Sequence, residues 1–464
     1  MKNYTTPNRI SKVEVTNDTI TGRGGLALFV RYLFGINLYP LLEQKFAKLR
    51  KSKKGLPIWK LFLQVFCFLF DGTSRHLTYF DELAQDEGYA STIEMPLKEM
   101  ASSHTIKRFF KLFAWAHAGL FRTILNILFS WRLTIKRPRV VELTMDTMVM
   151  DNDEAPKRHG VQPTYKKVKG FQPLQMIWDG KIVDAVFRGG KKHSNYGDTA
   201  INMIKRMVSL IRRVCGESVL IVIRLDSGFF DEKILNVCDE LNIGFIVSGK
   251  MYQSVKDYVS AQPANSWGCY HTEHQDWQYL EFDWGCDSWE SSYRTLYTRP
   301  VYEDKQGLLE FARPDNVILT NLSVNSAVLE HCSPSERKHW LKPETLIASH
   351  HGRGADELPH RGLKDFGFEE LPFKRFAANA AFYYCMLIGF FLHETFKEDV
   401  LVDVLPVTSY ASTVRRKVVD IAAKIIKTGG QIILKVSQAV MESLQFAKLW
   451  QRCQAPPPLA SVAF

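Results

Sequence analysis

Long uninterrupted apolar runs are missing from this 464-residue chain. The longest, residues 61–70 (broken by Gln64) and 380–392, fall short of the roughly 18–20 residues that span a bilayer, so no membrane span is expected. There is no CxxC pair. The eight cysteines lie far apart, at 67, 215, 238, 269, 286, 332, 385 and 453, which excludes a tight disulfide framework and fits a reducing, cytoplasmic setting. The opening residues, Met1-Lys2-Asn3-Tyr4-Thr5-Thr6-Pro7, lack the apolar block of a secretory signal. Internal repeats and long low-complexity tracts are absent too.

Core-forming material is plentiful. Hydrophobic residues make up 46%, with 30 Phe, 17 Tyr and 10 Trp, and that excludes wholesale disorder. At about 150 residues per domain, the length suggests about three domains. Lys and Arg number 60 against 49 Asp and Glu, a net charge of +11. Such a surplus suits a polyanionic partner, although a merely basic soluble protein would share it.

Residues 1–135 read as helical. A basic run at Lys45, Lys48, Arg50, Lys51, Lys53 and Lys54 is either a solvated face or a phosphate track. Ser102-Ser103-His104-Thr105 caps a helix with Ile106, Phe109, Phe110 and Phe113 on one side. The other side offers Lys107, Arg108 and Lys111, as in the second helix of a helix-turn-helix or an ordinary amphipathic surface helix. Strand-forming sequence begins at Val140. Candidate strands are 140–150, 172–178, 182–188, 218–225 and 243–248, with helices at 198–214 and 231–241. Asp179-Gly180 joins the second and third strands as a hairpin turn. Three strands, then alternation with helices, imply an α/β fold with a mixed sheet flanked by helices. An aromatic, mainly β insertion follows at 263–330, and helical pattern resumes after Pro343. Residues 374–396 form an apolar helix, and Gln454-Ala455-Pro456-Pro457-Pro458 opens a disordered end.

Two carboxylates stand where strands end. Asp146 lies inside an otherwise apolar strand, and Asp226 terminates the buried strand 218–225. Either one alone reads as a cap or turn residue. Two on neighbouring strands repel each other unless a cation lies between them, and oxygen-only ligands favour Mg²⁺ or Mn²⁺. A third carboxylate, Glu357, lies in the remote segment 350–364. On a helical wheel of about 100° per residue, His350, Arg353, Glu357 and Lys364 share a face about 60° wide. Gly352, Gly354, Gly362 and Pro359 weaken that helix, and Pro359 fits only if the helix starts a few residues before it.

At these residues the chain resembles bacterial insertion-sequence transposases with an Asp-Asp-Glu triad and a ribonuclease-H-like catalytic core. It is similar to the group with a Tyr-(2)-Arg-(3)-Glu-(6)-Lys signature, which here reads His350-(2)-Arg353-(3)-Glu357-(6)-Lys364. Strand order, β insertion and the apolar helix with Phe376-Ala377-Ala378-Asn379 match as well, as does the segment 103–110 more loosely. The resemblance implies that Asp146, Asp226 and Glu357 hold two Mg²⁺ (or Mn²⁺) ions for in-line phosphoryl displacement. Arg353 and Lys364, with His350 in place of Tyr, would then contact the phosphodiester. It further implies cleavage at terminal inverted repeats, strand transfer into target DNA, a synaptic assembly of at least two protomers, and a bacterial, nucleoid-associated setting. An inactive DNA-binding descendant and a metal nuclease without strand transfer are the competing readings. The divisions expected are a DNA-end-binding region 1–135, a core in two parts (136–262 and 331–400) around the insertion 263–330, and a C-terminal helical region 401–464.

Other segments carry weaker signals. Lys166, Lys167 and Lys169, and the loop Arg188-Gly189-Gly190-Lys191-Lys192-His193, place cations beside glycines that admit a phosphate. Trp267, Trp277, Trp284 and Trp289 are either core residues or platforms for an unpaired base. Cys269, His271, His274 and Cys286 match no trusted zinc spacing. Arg415, Arg416, Lys417, Lys424, Lys427 and Lys435 read as an amphipathic helix that packs on the core or touches DNA.

Overall fold

The computed structural model describes residues 10–50, 54–273, 275–301, 315–352 and 357–459. Lys51, Lys53, His274, Tyr302 and Arg353 therefore lie outside the described residues, as does the side chain of Glu357. The chain opens with β1 (Thr19–Thr21) and helices α1 (Leu26–Gly35), α2 (Leu38–Phe46), α3 (Ile58–Asp71), α4 (Tyr79–Leu83), α5 (Glu87–Thr92), α6 (Ser103–Lys111) and α7 (Ala118–Lys136). Apolar spacing drives these helices together. In α3 every residue from Leu61 to Asp71 is buried, and Gly72 ends it in a left-handed conformation (φ 64°) that a side chain disfavours. Ser102 caps α6 by accepting the Thr105 N–H, as its sequence implies, and Ile106, Phe109 and Phe110 face inward.

The central layer starts at β2 (Val140–Thr147). Small strands β3 (Met150–Asp151), β4 (Gln162–Pro163) and β5 (Lys169–Phe171) form a side sheet. Then come β6 (Leu174–Trp178), β7 (Lys181–Val186), α8 (Thr199–Cys215), β8 (Leu220–Leu225), α9 (Glu232–Glu240) and β9 (Gly244–Ser248). Asp179 and Gly180 both take positive φ (49° and 74°), the two-residue turn expected between β6 and β7. Helix α10 (Gln253–Ser260) leads to β10 (Gly268–His271), β11 (Asp276–Trp284), β12 (Tyr293–Val301) and β13 (Asn316–Thr320). The whole sheet runs β10-β11-β12-β13-β9-β8-β2-β6-β7. β2 pairs in parallel with β8, and β8 with β9, while the flanking pairs are antiparallel. This is a ribonuclease-H-like sheet. The aromatic segment is no detached module: β13 bonds β9 directly, so its strands prolong the core sheet.

Each face of the sheet has its own cover. Val141, Leu143 and Met145 of β2, with Ile221, Ile223 and Leu225 of β8, join the large core that also takes in α1–α8. The opposite face carries Leu220, Val222, Ile246 and Ile318 under Trp340, Leu346 and Ile347 of α11 (Pro334–Leu341) and α12 (Pro343–Gly352). Next come α13 (Glu357–Phe366) and α14 (Phe376–Phe396). Continued to Leu401, α14 spans 26 residues, and its most apolar 18-residue window has mean hydropathy 1.4, long and apolar enough to cross a membrane. That exceeds the run expected from sequence, yet 89% of its most apolar window is buried in protein, as a core helix requires.

The C-terminal part departs from expectation. A short helix α15 (Ala411–Val414) is followed by a hairpin, β14 (Ala423–Thr428) and β15 (Gln431–Val436), then α16 (Gln438–Ser443) and α17 (Phe446–Gln454). The single amphipathic helix expected over 415–435 is absent because Gly429 and Gly430 both take positive φ between Ile-rich arms, which is hairpin chemistry. β1 pairs with β14, so the first and last thirds of the chain share a sheet. The proline-rich residues 454–459 pack on the body rather than opening a disordered end: Pro456 packs on Gly35, and the Leu459 N–H donates to the Ile36 carbonyl at 2.9 Å.

Arg415 is no surface cation. Its guanidinium donates to the carbonyls of Leu69, Phe70, Asp365 and Phe366 at 2.6–2.9 Å, joining the last turns of α3 and α13. Burial pushes its pKa below the usual range, and four carbonyl partners offset that cost. Arg415→Met removes the donors and leaves the carbonyls. Stability should fall by about 2–5 kcal/mol, read as a lower urea midpoint. An unchanged midpoint would show that water replaces the guanidinium.

Candidate active site

Alternation along β2 sends Glu142, Thr144 and Asp146 to the face opposite the large core, and β8 sends Arg224 and then Asp226 to that same face. The register pairs Met145 with Leu225, so Asp146 and Asp226 follow side by side, on backbones about 4.8 Å apart. Both side chains are half-buried. The Thr147 N–H donates to Asp146 Oδ1 at 2.6 Å, and the Gly228 N–H donates to Asp226 Oδ1 at 2.9 Å. These backbone donors aim each carboxylate. Two carboxylates so close favour a cation between them, and an all-oxygen donor pair suits Mg²⁺ or Mn²⁺.

Glu357, the third carboxylate expected from the sequence, lies on α13. His360 Nδ1 lies 3.9 Å from Asp146 Oδ2, so this helix is docked over the end of β2. Glu357 is the first described residue of α13, three before His360, and positions i and i+3 share a helix face. Among the described residues no three His, Cys, Asp or Glu side chains gather at metal-ligand distance. His360 was not singled out from sequence. Its offset of three from Glu357 was the available signal.

The shared face expected of His350, Arg353, Glu357 and Lys364 runs through the segment between Gly352 and Glu357, which lies outside the described residues. His350 Nε2 lies 2.8 Å from Ser248 Oγ at the end of β9. Its neighbours pin α12 to the sheet. Ser349 Oγ donates to Glu142 Oε2 at 3.2 Å, Arg224 donates to Thr144 Oγ1 (3.1 Å) and the Ser349 carbonyl (3.4 Å), and His351 packs on Trp277 at 4.3 Å.

Lys364, two turns after Glu357, lines a groove of about 1080 Å³ that also holds Lys107, Arg108 and Lys111 of α6. Arg75, Arg158 and Lys374 bring its Lys and Arg to seven, against five carboxylates. Two of those carboxylates are paired: Glu370 with Arg158 at 2.8 Å, and Glu369 with Lys364. Three residues chosen separately in the sequence thus meet on one surface.

The glycine loop is only partly as expected. Arg188 is buried and donates to the Gln172 carbonyl at 3.1 Å; burial pushes its pKa down to about 10. It faces protein, which corrects the expected DNA contact. A Cβ on Gly190 would meet the Gln162 carbonyl oxygen at 2.2 Å, so the glycine admits protein backbone rather than a phosphate. Lys191 and His193 are exposed, and Lys192 lies over the Tyr196 ring at 3.3 Å. This loop borders Asp226, because a Cβ on Gly228 would sit 2.7 Å from Ser194 Oγ.

The tryptophans separate. Trp277 is 2% exposed and Arg299 covers Trp267 at 3.6 Å. Trp284 and Trp289 instead line a pocket of about 340 Å³ with Phe230 and Tyr252, four residues past Asp226 in the case of Phe230. Of the cysteines and histidines whose spacing fits no zinc site, Cys286 sits in this pocket and His271 meets Asp276 at 3.0 Å.

Compared with known proteins, residues 6–457 match the family described as transposase DDE domain, group 1. No curated protein matches the chain. Among solved structures, a piggyBac transposase synaptic complex with hairpin DNA is 11% identical, with TM-score 0.41, covering 93% of this chain and 82% of that one.

Gly228→Ala should disturb the carboxylate pair without unfolding the protein. The new Cβ would lie 2.9 Å from Asp226 Oδ1 and 2.7 Å from Ser194 Oγ, so one of them must move. Mn²⁺ affinity by calorimetric titration should drop by roughly tenfold, about 1.4 kcal/mol, with the far-UV spectrum unchanged. Wild-type affinity would show that the loop yields instead.

Proposed function

We propose, from the premise that the chain belongs to the family of transposases with a DDE domain, group 1, that it cuts DNA at the terminal inverted repeats of an insertion sequence. It then joins the freed ends to target DNA. The observation that carries this reading is the adjacency of Asp146 and Asp226 on one sheet face, with α13 docked over them through His360.

Asp146, Asp226 and Glu357 would hold two divalent ions, Mg²⁺ or Mn²⁺. Bound there, the ions would supply an activated oxygen nucleophile and stabilise the leaving oxygen. The protein's own residues do the positioning. Thr147 and Gly228 N–H groups hold the two aspartates in place. Lys107, Arg108 and Lys364 neutralise phosphates along the groove, and Arg353, four positions before Glu357 in the sequence, contacts the phosphodiester. Lys191, Lys192 and His193 meet the backbone on the Asp226 side, and His350 acts through Ser248 to fix α12. Phe230, Tyr252, Trp284 and Trp289 give an unpaired base near the cut a stacking surface. Two protomers would pair the two DNA ends in a synaptic complex, in the bacterial cytoplasm and at the nucleoid.

Purified protein with Mg²⁺ should nick DNA carrying the element's own ends and join precut ends to a plasmid. Asp146→Ala, Asp226→Ala and Glu357→Ala should each lower cleavage by at least about a thousandfold, or 4 kcal/mol in the barrier, while gel-shift affinity stays within a few fold. Undiminished cleavage by one variant removes that residue from the site. Binding without nicking marks an inactive descendant, and nicking without joining marks a nuclease.

Lys107→Ala combined with Arg108→Ala should weaken end binding and make the slope of log affinity against log salt about 1–2 shallower. An unchanged slope returns α6 to a purely structural role.

A further inference from the structure

We propose that residues 10–18 of one copy add as a strand to the outer edge of β15 in a second copy. This pairing involves neither DNA nor metal, so it stands apart from the function proposed above.

Every residue from 10 to 18 is exposed, and the segment is not helical. It carries Ile10, Val13 and Val15 at 81%, 91% and 96% exposure, an unusual concentration of bare aliphatic side chains in one short stretch. Val13-Glu14-Val15 alternates, so an extended chain puts both valines on one side and Glu14 on the other.

The acceptor lies at the other end of the chain. In the sheet β1-β14-β15, no strand among the described residues pairs with the outer edge of β15, and Ile432 on that strand is 60% exposed. Beside it opens a cavity of about 630 Å³, lined by Ile425, Ile432, Leu434, Met441, Phe446 and Trp450. Ile425 and Leu434 are ladder partners, so one sheet face looks into the cavity. A strand added at β15 with Val13 and Val15 on that face would fill it. Glu14 would then fall on the side of exposed Lys435. The opposite edge shows the same charge pattern: Asp18 pairs at 2.9 Å with Lys424, the ladder partner of Lys435. Backbone bonds supply affinity and alternate side chains supply specificity.

A second copy suits this role better than the same chain. The segment leaves β1, which is separated from β15 by β14. Reaching its own β15 edge would mean crossing three strand spacings, about 14 Å, around Gly429-Gly430, with only Thr16, Asn17 and Asp18 between Val15 and β1, too little chain for both the crossing and the turn. Between copies no reversal is needed, and a two-fold axis lets each copy give a segment and receive one.

Sedimentation of the full-length, DNA-free protein tests this. Wild type should form a dimer, and Val13→Asp with Val15→Asp should weaken it by roughly a hundredfold without changing the circular dichroism spectrum. Mixing a Val13→Cys chain with an Ile432→Cys chain of different tag length should give a heterodimeric crosslink above the wild-type background. A monomeric wild type, unchanged dimerisation in the double Asp variant, or no crosslink in the mixture would each overturn the proposal. So would a double Cys variant that crosslinks only within one chain.

Discussion

The parallel pairing of β2 with β8 is the constraint from which the rest of the site follows. Parallel register aligns strand ends, and Met145 opposite Leu225 leaves Asp146 and Asp226 as the next residues on each strand, on the same face. A slip of one residue would bury one carboxylate in the large core, where Met145 and Leu225 now sit. The apolar pattern forbids that slip, because it would also turn Val141, Leu143, Ile221 and Ile223 toward the opposite face. Hydrophobic burial therefore fixes the register, and the register fixes the carboxylates.

The third acidic position depends on how α13 is held. At one end His360 meets Asp146. At the other, Arg415 binds the carbonyls of Asp365 and Phe366 while also binding those of Leu69 and Phe70 in α3. The helical first third, the C-terminal segment and the site are thus joined through one buried guanidinium. A family defined over residues 6–457, rather than over the sheet alone, accords with that integration. The groove shows the same economy: α6 turns Ile106, Phe109 and Phe110 inward to the shared core, and the cations left outside line the cleft with Lys364.

Much of this was legible in the residues. The order of strands and helices from Val140 to Ser248 follows from apolar runs and the Asp179-Gly180 turn. The cap at Ser102 and the two faces of α6 follow from capping chemistry and spacing. Less legible was any feature whose meaning depends on a distant neighbour. Arg188 and Arg415 look like surface cations in sequence, yet both donate to backbone carbonyls inside the fold. Gly190 looks like a phosphate-admitting glycine, and its space is taken by the β4 and β5 backbone. Over 415–435 the spacing of charges suggests a helix, but the Gly429-Gly430 turn between Ile-rich arms prevails and folds the segment as a hairpin.

Local chemistry, then, is what the sequence settled unaided. Periodicity chose helix or strand, side-chain type chose caps and turns, and the gaps between Arg353, Glu357 and Lys364 marked the family. Those choices depend on interactions within a few residues, which a linear reading contains. Tertiary structure alone decided that the aromatic strands prolong the central sheet, that His350 meets Ser248, and which cations face solvent. Each of those depends on what packs opposite a residue, and that partner is tens to hundreds of positions away in the chain.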